Sequence, residues 1–246
     1  MSIKVKFPHT MGWVESKLDK SHMDFLWDKI REGKKKNINH KNELVGHLSN
    51  SFEIEDTNDW FMQNALFQNI DAFFKTNSNN HPVTYYSPTE DLSQMGIKLG
   101  RMWVNYQFQT EFNPYHNHSG VYSFVIWMKI PYSCEEQKKL SFLDGMKDKD
   151  KKAGIFEFEY LDILGRISNH PYYMEPELEG TMLFFPAALK HCVYPFYDCY
   201  EPRISISGNL YMVPNLKPPE PPKLITNTTG LSKNYDPTLM RKIING

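Results

Sequence analysis

The chain predicts a mainly β protein fronted by helices, and a change in hydrophobic period along it carries that expectation. From residue 82 onward, short segments rich in aromatic and β-branched residues alternate apolar with polar, at 82–87, 101–109, 121–130, 155–160, 181–185, 192–194 and 203–212. Runs of this kind, separated by Pro, Gly and Asn, read as strands of a sandwich or barrel. Ahead of residue 82 the period is helical, and two helices suffice to cover one face of a sheet.

The first helix is expected over residues 13–31, where Val14, Leu18, Phe25, Leu26 and Ile30 fall on one stripe between charged residues. Residues 32–56 are polar and irregular. The second helix is expected from about Asn58 to Lys75, with Trp60, Phe67, Ile70 and Phe74 as its packing face. Thr57 or Asn58 offers a cap there, and Asp59 suits the first turn. Within the β region, residues 133–152 lack strand character; they include Lys147-Asp148-Lys149-Asp150-Lys151-Lys152 and read as an exposed charged insertion. After residue 214, Lys217-Pro218-Pro219-Glu220-Pro221-Pro222 favours an extended arm, through which a homo-oligomer could form. The expected organisation is a single domain over 1–246, with helical support at 1–81, a β core at 82–213 and a C-terminal extension at 214–246.

Composition narrows the function classes. A length of 246 residues, 40% of them hydrophobic and 14% aromatic, suits a chain with a substantial core. A net charge of −1 argues against a nucleic-acid surface, and Lys34-Lys35-Lys36 reads as a solvated run. Cys134, Cys192 and Cys199 are odd in number and contain no C-x-x-C pair, so the expected setting is a reducing cytoplasm. Met1 to Lys6 has no apolar core of a signal peptide, and Met182 to Leu189 is too short to span a bilayer. The sequons at Asn117 and Asn227 are therefore read as accidental.

Two stretches carry chemistry. In Asn113-Pro114-Tyr115-His116-Asn117-His118-Ser119-Gly120, the histidines are two apart and point to the same side of an extended segment, so both can bind one ion. A lone pair of this kind arises easily by chance. Its place between a strand and a turn is what raises its weight. The second stretch runs from Gly180 to His191, so His191 also stands at a strand end. Twelve residues later begins a strand with Ile204, Ile206, Leu210 and Met212 on one face and Arg203, Ser205, Ser207, Asn209 and Tyr211 on the other. A guanidinium offers a planar fork for a carboxylate, and Ser205 adds a hydroxyl from the same face.

In that order, H-x-H, then G-x-x-x-F-F-P before His191, then Arg203-x-Ser205, the sequence resembles the iron(II)/2-oxoglutarate-dependent oxygenases, and within them bacterial and bacteriophage members distantly related to prolyl hydroxylases. The resemblance covers residues 82–213. It implies a double-stranded β-helix, the jelly-roll or cupin-like barrel, with Fe(II), 2-oxoglutarate and O2 as cofactor and co-substrates. His116 then matches the first metal ligand and His191 the distal one, while Arg203 and Ser205 match the pair holding the far carboxylate of 2-oxoglutarate. The implied activity hydroxylates an unactivated C–H bond of a peptidyl proline or a small molecule, releasing succinate and CO2. The implied location is the cytoplasm, that of the host cell for a phage protein.

One position departs from the family pattern. Most members carry a carboxylate where His118 stands. His118 as a third ligand gives three neutral imidazoles; a halide in its place, or a carboxylate from Glu111 or Asp162, are the alternatives, and the H-x-H spacing favours His118. Asn105, Tyr106 and Gln107 lie on the strand before the pair and are candidates to bond the co-substrate, with Tyr122 and Trp127 assigned to the core. Three rivals remain on these residues: a three-histidine cupin enzyme, whose expected glutamate position is Tyr122; a zinc hydrolase with Glu111 as base; and a non-catalytic jelly-roll binding protein.

Overall fold

The computed structural model describes residues 2–4, 12–41, 44–76 and 95–214. The strand expected at 82–87 and the proline-rich extension beyond residue 214 lie outside the described residues. Two antiparallel sheets face one another. The larger contains β1 (Val14–Lys17), β2 (Asn50–Ile54), β3 (Met95–Gln107), β5 (Tyr122–Lys129), β8 (Thr181–Pro186) and β10 (Arg203–Pro214), in the order β1-β8-β5-β10-β3-β2. The smaller contains β4 (Asn113–His116), β6 (Phe156–Leu161), β7 (Ile167–Tyr172) and β9 (Lys190–Val193), in the order β4-β9-β6-β7. This is the double-stranded β-helix, with β1 and β2 added at the two edges of the larger sheet.

Alternation along the strands sorts side chains into two cores. On β5, Phe124, Ile126 and Met128 face the helices, where they join Met182, Phe184, Ile204 and Ile206 under Leu26, Ile30, Ile70 and Phe73. Val125 and Trp127 face the other sheet and meet Phe156, Phe158, Leu183 and Phe185. Strand β8 is buried at every residue because both of its faces are covered, which is why its sequence is a continuous apolar run. Tyr122 and Trp127 are core residues as expected.

The N-terminal region differs from the expectation. Residues 14–17 alternate between half-buried and exposed and pair with β8 instead of starting a helix. Helix α1 spans Lys20–Lys36, begins where the Asp19 carboxylate accepts the His22 amide at 3.0 Å, and ends at Asn37 in the left-handed region. Val14 and Leu18 mimic helical spacing with Phe25, but pairing to the edge of a sheet wins locally. The second helical region is capped by Asp56, whose carboxylate accepts the Phe61 and Met62 amides at 2.7 and 2.9 Å. It passes through a π turn at Met62–Leu66 into α2, Phe67–Thr76. Residues 50–54, read as irregular, form β2 against β3.

The charged insertion is anchored rather than simply exposed. Cys134, Gln137 and Leu143 are buried, and the Gln137 amide bonds Tyr197 in both directions, at 2.8 Å each. The sparse apolar and amide residues among the lysines dock the segment and leave its charges in water.

Candidate metal centre

Strands β4 and β9 place His116 directly opposite His191. Residues opposed across an antiparallel pair bring their side chains together, and the two rings lie 4.3 Å apart between centroids. His118 comes from the turn that follows. Its backbone N–H donates to the Ala187 carbonyl at 2.9 Å, which pins the loop against the end of β8. Gly120 then redirects the chain into β5 at φ 98°, with a Cβ there falling 2.5 Å from the Leu210 carbonyl oxygen, so only glycine fits. The His118 ring ends 5.0 Å from each of the other two. One donor atom from each histidine lies within 4.8 Å of the others.

Hydrogen bonds behind the rings orient them. The His116 Nδ1 stands 2.8 Å from the Pro114 carbonyl and the His191 Nδ1 3.1 Å from the Leu189 carbonyl. A carbonyl only accepts, so both Nδ1 atoms carry the proton and both Nε2 lone pairs face inward. His118 Nε2 lies 3.2 Å from His191 Nε2.

All three rings are held neutral. Burial lowers His116, with the Pro114 carbonyl opposing. Burial and then the neighbouring His116 push His118 down to about 3. Burial, followed by His116 and His118, takes His191 well below the ordinary range. Neutral imidazole is the form that binds a metal. Two nitrogens ~2.1 Å from one ion at tetrahedral or octahedral angles sit roughly 3.0–3.4 Å apart, and the 3.2 Å contact falls inside that range. The donor set therefore fits a divalent transition metal such as iron.

The histidines open onto a cavity of about 560 Å³. Trp103 forms its wall beside His118, ring centroids 5.9 Å apart, and is backed by His40 stacked at 4.8 Å. Ser205, Ser207, Asn209 and Tyr211 line it from β10, and Asn105 from β3, so the polar face of the last strand does look inward. Asn105 is buried and its Oδ1 has no partner.

Arg203 lies two residues deeper than Ser205, opposite Gln107. It is 4% exposed; its Nη1 donates to the Tyr132 hydroxyl at 2.8 Å and to the Gly154 carbonyl at 3.4 Å, and its Nη2 donates to Gln107 Oε1. Every one of these partners is neutral, and no ion pair among the described residues includes Arg203.

Three candidates fall elsewhere. Tyr106 is on the opposite face of β3, its ring 6.0 Å from that of Phe52 and 5.9 Å from Lys34 Nζ, so it cannot bond a ligand in the cavity. Glu111 caps a turn, accepting the Ser49 and Phe108 amides at 2.9 Å. Asp162 closes the β6–β7 turn on Leu164 and Arg166. Neither carboxylate joins the histidines. Conversely, Tyr132, His40 and Trp103 were not singled out. Tyr132 follows the end of β5, where alternation no longer assigns a direction; Trp103 could have been found, because it shares parity with Asn105.

Residues 101–209 match the family model described as "Putative 2OG-Fe(II) oxygenase". Over this segment the chain is similar to the 2OG-Fe(II) oxygenases. It contains the three histidines, Arg203 and Ser205, and the family's cofactor and co-substrates are Fe(II), 2-oxoglutarate and O2. Among solved structures the chain is similar to a Pseudomonas putida prolyl-4-hydroxylase, at 12% identity and TM-score 0.48, covering 82% of this chain and 93% of that one. A Trichoplax adhaerens prolyl hydroxylase, in complex with a hypoxia inducible factor oxygen degradation domain peptide fragment, gives 11% identity and TM-score 0.46, with 84% and 85% covered. The α-ketoglutarate-dependent carbocyclase SnoK from nogalamycin biosynthesis gives 9% identity and TM-score 0.42, with 82% and 79% covered. No curated protein sequence matches the chain. No helix among the described residues is long and apolar enough to cross a membrane.

Proposed function

We propose that the protein is an iron(II)- and 2-oxoglutarate-dependent hydroxylase in which His116, His118 and His191 hold the metal, and Arg203 and Ser205 hold the far carboxylate of 2-oxoglutarate. The observation that carries this reading is the buried Arg203 with only neutral partners. A buried cation is stable when paired; Arg203 stands two residues from Ser205, which lines the cavity, and a planar guanidinium there matches a carboxylate. When bound, iron, O2 and 2-oxoglutarate supply the oxidising chemistry that hydroxylates a substrate C–H and releases succinate and CO2.

This chain's residues orient and enclose. Tyr132 and Gln107 fix the guanidinium plane. Ser205 supplies a hydroxyl above it, and a half-turn of the Asn105 amide presents donors where its unpartnered oxygen now points. Phe156 and Phe185 pack against His191, and Trp103 packs against His118. Among the described residues the cavity lining contains amides, hydroxyls, aromatic rings and the Arg101 guanidinium but no Asp or Glu, which suits a neutral or anionic substrate, a peptide segment or a small molecule, over a cationic amine. All three cysteines are unpaired, which fits a reducing cytoplasm. The test is succinate formation that requires iron(II) and 2-oxoglutarate together. Tight zinc binding with no stabilisation by 2-oxoglutarate would overturn the reading.

A further inference from the structure

Strand β4, which carries His116, is the weakest-held element of the centre. It is a four-residue edge strand, and its pairing with β9 is irregular between Asn113 and His116. The backbone ladder alone does not set where His116 stands. A second set of contacts lies behind it, on the outer face of the smaller sheet. Tyr115, the neighbour of His116, points to that face, and its hydroxyl reaches past β9 to donate to Glu157 Oε1 on β6 at 2.6 Å. Asn169 on β7 donates from Nδ2 to the Tyr115 oxygen at 2.9 Å and to Glu157 at 3.1 Å. Lys152, the last residue of the charged insertion, pairs with the other Glu157 oxygen. Glu157 is 2% exposed, and it stands opposite Cys192, the residue after His191.

We infer that Tyr115, Glu157, Lys152 and Asn169 form a positioning clamp that fixes the separation of His116 and His191 and so sets the affinity of the centre for its metal. The inference rests on the reading of the histidines as ligands. The physical case is that an ionised carboxylate this deep is costly unless paired, yet the sheet's outer face has no need of one for packing: Tyr115 is 38% exposed beside it. The carboxylate ties strands first, third and fourth in the sheet order, with the ligand strand β9 between them. Groups that brace metal ligands from behind change metal affinity by about 10–100-fold when removed. This clamp acts through the strand rather than on the imidazole, which places it near tenfold.

The experiment titrates cobalt(II) into the metal-free full chain and reads the ligand-field spectrum and the dissociation constant. Tyr115→Phe keeps the ring and removes only the hydroxyl; it should weaken cobalt about tenfold and shift the ligand-field bands. Asn169→Ala should do the same to a smaller degree, and serves if the first variant fails to fold. Leu161→Ser, on the exposed end of β6, should change neither quantity. A lowered Tm with parent-like spectrum and affinity in both clamp variants would make the cluster merely structural and overturn the inference. A parent protein whose cobalt binding is untouched by His191→Ala would overturn the ligand reading itself, a separate outcome.

Discussion

Replacing Arg203 by methionine separates the two roles a buried arginine can have. If it receives a carboxylate, the replacement removes one member of a buried charge pair, which costs about 2–5 kcal/mol, or roughly 30-fold to a few thousand-fold in affinity. The Ser205 hydroxyl remains as a donor on the cavity wall, while the Tyr132 hydroxyl stays committed to the Gly154 carbonyl at 2.6 Å, so the loss should lie toward the lower end, about a hundredfold. Without ligand the arithmetic runs the other way. The variant leaves Gln107 Oε1 without its donor, at about 1–3 kcal/mol, but also relieves a buried cation whose partners are all neutral, an effect of several kcal/mol of opposite sign. The metal-free protein should therefore melt within a few degrees of the parent. The assay is a thermal shift with manganese(II) or anaerobic iron(II). At a hundredfold excess over Kd, 2-oxoglutarate stabilises by about 2.7 kcal/mol, about 5–10 °C for a chain of this size. In Arg203→Met that shift should shrink to about 0.4 kcal/mol, roughly 1 °C, at the same concentration. An undiminished shift, or a ligand-free variant that unfolds far below the parent, would refute the reasoning.

His118→Asp should keep its metal, because a carboxylate at that spacing is also a ligand, whereas His118→Ala should lose at least tenfold in affinity by cobalt titration. Glu111→Ala should leave 2-oxoglutarate turnover unchanged and lower stability by about 1–2 kcal/mol in urea melts, since it holds a turn and not the metal. Burial lowers all three imidazoles, while unfolded histidine titrates near ~6.5. Below that pH the unfolded chain binds protons that the folded one refuses, so the metal-free protein should lose stability as pH falls from about 6.5 toward 3, by up to ~1.4 kcal/mol per pH unit for each histidine. Urea midpoints at successive pH values should show the slope, and His118→Gln should flatten it.

What the sequence disclosed follows from where a single period governs. Strands β5, β8 and β10 are flanked by partners on both sides, so their side-chain parity is dictated throughout; the inward face of Ser205, Ser207 and Asn209 is legible for that reason. Edge strands are not so constrained. Val14–Lys17 and Ile167–Tyr172 each pair on one side only, are short and carry exposed residues, and their patterns are indistinct. His116 and His118 were readable as a pair, but their meeting with His191 depends on the β4–β9 register, which no local period encodes. Tyr106 shows the opposite failure. It lies beside Asn105 in sequence and, by strand parity alone, belongs on the other face.

Charge balance accounts for an imidazole where a carboxylate is usual. No Asp or Glu among the described residues lines the cavity, and the deeply buried carboxylate of Glu157 is committed to Lys152 behind the sheet. On the proposed reading, a divalent ion held by three neutral rings, with the buried Arg203 as a further cation, would leave the site strongly positive until a dianion arrived. In a site with a carboxylate ligand, part of that charge is cancelled before the co-substrate binds. Here the protein leaves it uncancelled, so electrostatic attraction for an anion is concentrated on the step that brings one in. The same imbalance discourages a cationic substrate at the adjacent wall, where Asn105, Asn113 and Asn117 supply only neutral hydrogen-bonding groups. Selectivity against amines then arises from the ligand set as much as from the pocket's shape.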